Sequence, residues 1–345
     1  MNQLIATAHQ FFLFGMGDRD KFIYKAGNLL KVDDGACAYE WDVVSEEFLF
    51  ADYTVKLKLA SDEEVVLSEN EEGFYINDKC ITSSHISLPS FSEYKYAKHL
   101  RILLQEVLFN INDGKPLPNI FVYDKPWYRD GAMVGMVLKH SNNLHLIKDW
   151  VLSITELYDR NNKGNCEPDN LGQLLYIISL VADKSHPMVQ KIIDEAKRIM
   201  SGGLLTGTTD YSHHEIYSTL WLDYALKQLG LDSSFISIPQ EFDNYARMFW
   251  MDRAKVERAT AYENRYNEKY PYLWWAVKHF ENEPIDEKYL EITYPMSWEI
   301  CASEANYEGS RIISDSYVDN RVGAPHTWHA SEMYLYLIED KISLV

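Results

Sequence analysis

The pattern of hydrophobic and polar positions changes period once along the chain, near residue 90. Before that point, short runs rich in β-branched and aromatic residues alternate with clusters of Asp, Gly, Ser and Asn. "KFIYKAGNLLKV", "CAYEWDVV", "YTVKLKLA", "EEVVLSE" and "GFYINDKCITSSHISL" are the clearest of these runs. Such segments suit half-buried pleated strands, so residues 1–90 are expected to form a small antiparallel β domain. Beyond "LPSFSEY", where Ser90 or Ser92 can cap a helix, apolar residues recur every three or four positions. "EYKYAKHLRILLQEVLFNI" opens this part and closes at "NDGKPLPN", which reads as a helix stop. Further helical segments include "WYRDGAMVGMVLKH", "NLHLIKDWVLSITELYDR", "NLGQLLYIISLVAD", "HEIYSTLWLDYALKQLG", "SWEICASEANYEG" and "HTWHASEMYLYLIEDK". Roughly ten to twelve consecutive helices, with no intervening strand and no strict repeat, predict a mainly α fold. Its expected form is an (α/α)6-type toroid over residues 91–345.

Charge and composition narrow the function. A net charge of −19 argues against nucleic acid and against anionic membrane surfaces, both of which need clustered Lys and Arg. No apolar run approaches the roughly 20 residues that span a bilayer. The N-terminal stretch has no basic region followed by a small-residue cleavage site, so no secretory signal is read there. Four cysteines without C-x-x-C spacing suit reduced thiols in a cytoplasmic protein rather than a zinc site. Aromatic residues are abundant at 14%, including 24 Tyr and 9 Trp. Rings of this kind fill cores, and they also cover the C–H faces of sugars.

Candidate chemistry sits at helix starts. Asp130 lies in "WYRDG", Glu215 in "HHEIYS", Glu299 and Glu304 in "SWEICASEANY", and Glu332 in "HTWHASEM". If alternate helices line a cavity, these carboxylates converge at one mouth. A carboxylic acid and a carboxylate facing each other there suit glycoside hydrolysis, and burial would keep the acid protonated near neutrality. The plain alternative for each is a helix cap or a dipole partner. Glu299 and Glu304, five positions apart on an expected helix, point to different faces. His326 and His329, or His213 and His214, could ligate a metal, but no carboxylate or third histidine completes a zinc pattern. No cofactor is expected. "FGMGDRDKFIYKAG" lacks the spacing of a phosphate loop and reads as turn glycines.

The second part of the chain resembles the six-hairpin (α/α)6-barrel glycosidase superfamily, in particular its glucoamylase-like branch. "KPWYRDGAMV" is similar to that branch's W-x-R-D-[SGA] segment, and "EPDNLGQLLYII" to its PD-x-x-G-Q-L-L helix. "HEIYSTLWLDYALKQLG" is similar in layout to the acid-bearing helix, and "ASEANYEG" with "APHTWHASEMYLYL" resembles the base-bearing loop and final helix. The resemblance implies sugar binding by Trp127, Arg129 and Asp130. It also implies Glu215 as general acid, with Glu304, or Glu299, as base. Trp274, Trp275, Trp298 and Trp328 are candidate stacking platforms, and His326 and Glu332 further substrate contacts. The expected protein is a glycoside hydrolase acting on a soluble oligosaccharide, by inversion. A sugar 2-epimerase with His326 or His329 as base, an unsaturated uronyl hydrolase with Asp130 as proton donor, and a catalytically inactive sugar-binding protein are the alternatives.

Overall fold

The computed structural model describes residues 11–210, 212–239, 296–297, 299–300, 306–323 and 325–338. It begins with two antiparallel sheets. The first is a meander of β1 (Phe12–Phe14), β2 (Phe22–Lys25), β3 (Asn28–Lys31) and β4 (Cys37–Glu40). The second runs β5 (Val43–Leu49), β6 (Thr54–Leu59), β7 (Glu64–Glu69), β8 (Gly73–Ile76) and β9 (Lys79–Ser83), each strand paired to the next. Nearly continuous aromatic contact holds the two together. Phe14 stacks on Phe74 at 4.4 Å, and Phe12 lies 4.6 Å from the Tyr53 ring. Much of the aromatic excess is therefore core filling, since Trp221, Tyr217 and Tyr334 are fully buried as well.

Helices follow: α1 (Ala97–Phe109), α2 (Tyr128–His140), α3 (Lys148–Ser153), α4 (Asp169–Val181), α5 (Pro187–Ile199), α6 (Glu215–Gln228), α7 (Asp315–Asp319) and α8 (Thr327–Leu337). Among them α2 packs between α8 and α4, α4 between α2 and α6, and α1 against α8. Gln105 and Arg101 of α1 tie this row to the sheets by donating to Leu13 O and Glu69 O. Glu69 also accepts the amides of Gly15 and Met16 and the Arg19 guanidinium. The glycine-rich loop after β1 thus spends these two amides on a buried carboxylate, which suits a structural turn and not an anion cradle.

The mainly α toroid expected from the sequence is not the architecture. Helix makes up 37% and strand 21% of the structure, with antiparallel sheets a substantial part of it. The fold-based ground for reading the chain as a glycosidase falls with that correction, so function has to be argued from the site itself.

Two causes account for the difference. "KFIYKAGNLLKV" is not one strand but the hairpin β2–β3, turning on Ala26 and Gly27. Strands also intervene between helices, where none was expected. β10 (Ile111–Asn112) pairs with β11 (Lys115–Pro116), β12 (Met200–Ser201) with β13 (Leu204–Leu205), and β14 (Glu299–Ile300) with β15 (Val322–Gly323). The first two turn on Asp113–Gly114 and Gly202–Gly203, all four with positive φ, the backbone of a two-residue hairpin. "SWEICASEANYEG" is likewise not one helix: β14 is followed by a 3-10 turn at Tyr307–Ile312. "NLHLIKDWVLSITELYDR" is helical only as far as Ser153.

Gly172 sets the approach of α4 to α6. A Cβ there would stand 2.4 Å from Leu222 N and 2.6 Å from the Trp221 carbonyl carbon, so backbone must shift to admit it. Gly172→Ala is expected to destabilise the fold by about 1–3 kcal/mol through overpacking, against its favourable helix propensity. Denaturant unfolding checks this, and an unchanged or raised midpoint would contradict it.

Candidate functional site

Three helix starts and their preceding loops meet at one end of the α8–α2–α4–α6 row. Arg129 is the second residue of α2, Asp169 the first of α4, and Thr327 the first of α8, while Thr209 precedes α6. Each helix N-terminus presents unpaired amides and the positive end of its dipole, which favours carboxylates there. Four carboxylates answer: Asp130, Glu167, Asp169 and Asp210.

Arg129 organises three of them. Its Nε donates to Asp169 Oδ2 at 2.9 Å, its Nη2 to Glu167 Oε2 at 3.3 Å, and its Nη1 lies 3.7 Å from Asp210 Oδ1. Arg129, Glu167 and Asp169 are buried, and Asp210 is exposed at the rim. The acids are further satisfied. Asp169 accepts from Gln173 Nε2 at 2.9 Å and Thr209 Oγ1 at 3.3 Å, and Glu167 from Asn162 Nδ2 at 3.0 Å and the Asp210 amide at 2.6 Å. Gln173 reaches on to the Tyr217 hydroxyl at 3.4 Å. Burial raises the affinity of Glu167 for a proton, and the Arg129 guanidinium opposes that.

Asp130, third residue of α2, is only 5% exposed. Burial pushes its carboxyl up to about 7, Arg129 pulls it down, Asp159 pushes it up, and its own amide and Thr327 pull it down. Its Oδ1 has no hydrogen-bond partner among the described residues. His326 Nε2 lies 3.9 Å from Oδ1. Burial pushes His326 down to about 3, so near neutrality this is an uncharged imidazole and not an ion pair with Asp130. The His326 and His329 rings also meet, tilted by 38° with centroids 4.5 Å apart. Tyr123 meets both His326 and Trp127 edge-on, at 6.1 and 5.8 Å, and with half-buried Trp127 lines the approach.

The residues nominated from the sequence divide accordingly. Trp127, Arg129, Asp130 and His326 are brought together. Trp328 and Glu332, on α8, are buried at 5% and 1%, so Trp328 is no open platform for a sugar ring. Glu215 starts α6 half-buried, and its carboxyl makes no hydrogen bond or ion pair among the described residues. Glu299 lies in β14, so the helix on which it and Glu304 were to face apart is absent there. Glu304, Trp274, Trp275 and Trp298 lie outside the described residues, as does the side chain of Glu299. Glu167, Asp169 and Asp210 were not nominated. The signal for the first two was present in "EPDN", an acid pair flanking a helix-starting proline, as "WYRD" pairs a base and an acid at another helix start.

No group of three or more His, Cys, Asp or Glu among the described residues is arranged to hold a metal ion. No described helix is long and apolar enough to cross a membrane. The arrangement is that of a buried carboxylic acid beside a guanidinium–carboxylate clasp at converging helix starts. No protein-family model, curated protein or solved structure matches the chain.

Proposed function

We propose that this chain is a carbohydrate-processing enzyme in which Asp130 gives its proton to an oxygen of an uncharged sugar as a C–O bond breaks. The observation that carries the reading is the state of Asp130, a buried carboxyl whose proton is held up to about 7. A proton donor works best when its pKa lies near the operating pH, and burial of a carboxylic acid is the usual physical route to that value. Oδ1, which has no hydrogen-bond partner among the described residues, is the oxygen this reading assigns to the substrate. Asp210, exposed at the rim beside Arg129, can accept from sugar hydroxyls, and Trp127 and Tyr123 offer ring faces to C–H groups. Three carboxylates around one guanidinium disfavour an anionic sugar. Asp130 takes the acid role here in place of Glu215.

The contact between Asp130 and His326 favours a second reading. A protonated acid and a neutral imidazole 3.9 Å apart suit proton exchange at a carbon next to a carbonyl, as in sugar epimerisation. Incubation with neutral oligosaccharides, and separately with monosaccharides, separates the two. The first reading expects new reducing ends from oligosaccharides, at a rate that falls as pH rises through about 7. Interconverted monosaccharides without new reducing ends would establish the second. Saturable binding with no product in either arm would leave a binding protein and sink the enzymatic reading.

A further inference from the structure

The N-terminus of α2 is capped from a distance. Trp127 occupies the N-cap position and cannot supply a side-chain acceptor. The amide of Tyr128 donates instead to Asp159 Oδ2 at 2.8 Å, across 31 positions of sequence. Asp159 is itself fixed: its Oδ1 accepts the Asn161 amide at 3.0 Å and its own amide donates to Asn170 Oδ1 at 3.1 Å. Asn161 Nδ2 donates to Pro126 O at 2.8 Å, and the Tyr128 hydroxyl to Glu156 O at 2.9 Å, so the loop after α3 grips the segment leading into α2. Asn170 belongs to α4 and lies 3.5 Å from Gln173 Oε1, and Gln173 holds the same Asp169 oxygen that receives Arg129 Nε. A closed hydrogen-bonded circuit thus runs from α2 through Asp159 to α4 and back to α2. Asp130 sits inside it.

We infer that Asp159 is a positioning residue for Asp130: its carboxylate caps α2 in place of a local side chain and sets a second acidic group at the helix start that carries Asp130. This rests on the reading of Asp130 as proton donor. The charged and titratable groups of the surrounding elements are few. Arg129 neighbours Asp130 on α2 and is engaged by Glu167, Asp169 and Asp210. α8 and the turn before it contribute His326, His329 and Glu332, and α6 contributes Tyr217. Burial is the largest influence raising Asp130; Arg129 opposes it and Asp159 adds to it, while burial also pushes the Asp159 carboxyl itself up.

The test separates charge from cap. Asp159→Asn and Asp159→Ser both remove the charge and keep one side-chain oxygen where the carboxylate has two, one for the Tyr128 amide and one for the Asn161 amide. Each is expected to move the alkaline limb of the rate profile downward by roughly half a pH unit, with a smaller loss of melting temperature than the alanine variant. Asp159→Ala removes charge and cap together, and is expected to lower the melting temperature as well. A limb that stays in place in folded Asp159→Asn and Asp159→Ser proteins would overturn the inference. Should the parent show no turnover, the proton-donor reading has failed by itself. The inference then stands or falls on the midpoint of the parent-minus-Asp130→Asn stability difference against pH, which must move downward in the Asp159→Asn background.

Discussion

Asp130→Asn is expected to lower turnover by roughly 10²–10⁴-fold, the usual contribution of a general acid, while leaving the fold at least as stable as the parent. The carboxamide keeps an acceptor for the backbone amide and for Thr327 but cannot give up a proton at any working pH. The stability arm has a definite sign. Asp130 holds its proton more tightly in the folded chain than an ordinary Asp does, so its burial is harmless below about pH 4 and grows unfavourable as pH rises toward about 7. The variant should therefore match the parent in acid and exceed it above neutrality, by on the order of 4 kcal/mol if the whole shift is realised. Thermal melts at about pH 3.5 and about pH 8.5, on the two sides of this window, check both arms. A large loss of melting temperature at both values would make Asp130 a structural helix-start residue, even though the Tyr128 amide at the start of α2 is capped by Asp159.

Arg129→Met is the substitution with the largest expected cost in stability. It leaves Glu167 and Asp169, 2% and 0% exposed, without the guanidinium that spans them. Breaking a buried ion pair from one side typically costs about 3–5 kcal/mol, because an uncompensated charge stays buried. Arg129→Lys should recover only part of this, since one ammonium cannot replace a planar fork whose three nitrogens face three acids. The deficit of Arg129→Met should shrink as pH falls, when the stranded carboxyls take up protons and cease to be charged. Denaturant unfolding at two pH values measures it. A deficit independent of pH would assign the loss to packing instead of charge.

The sequence carried local structure better than its assembly. Period-two alternation marked the strand-rich stretch before residue 90, and the three-to-four spacing of "AKHLRILLQEVLF" and "NLGQLLYIISLV" marked α1 and α4. Hydrophobic period is silent about ladders only two residues long. "N-D-G-K" therefore read as a helix stop and "S-G-G-L" drew no reading, although each places two positive-φ residues where a hairpin turns. That omission turned a mixed α and antiparallel β chain into an expected toroid. In the site, "WYRD" was legible because Trp, Arg and Asp together are a costly way to start a helix. The proton-donor role proposed for Asp130 was only one alternative there, because gripping a sugar and donating a proton call for the same residue type in different degrees of burial, and burial of the third residue of α2 depends on α8. Asp159 escaped notice altogether. A cap supplied from 31 residues away leaves no local pattern at the helix it serves.

The state of Asp130 tests this account most directly. Carbon-13 NMR of Asp-labelled protein, with the Asp130 carboxyl signal assigned by its loss in Asp130→Asn, gives the titration of this one group in the intact chain. A midpoint near 7 is predicted, with the protonated form dominant below it. A midpoint near the ordinary aspartate value of about 3.9 would show an ionised carboxylate throughout the neutral range, and a proton donor at this position would be contradicted.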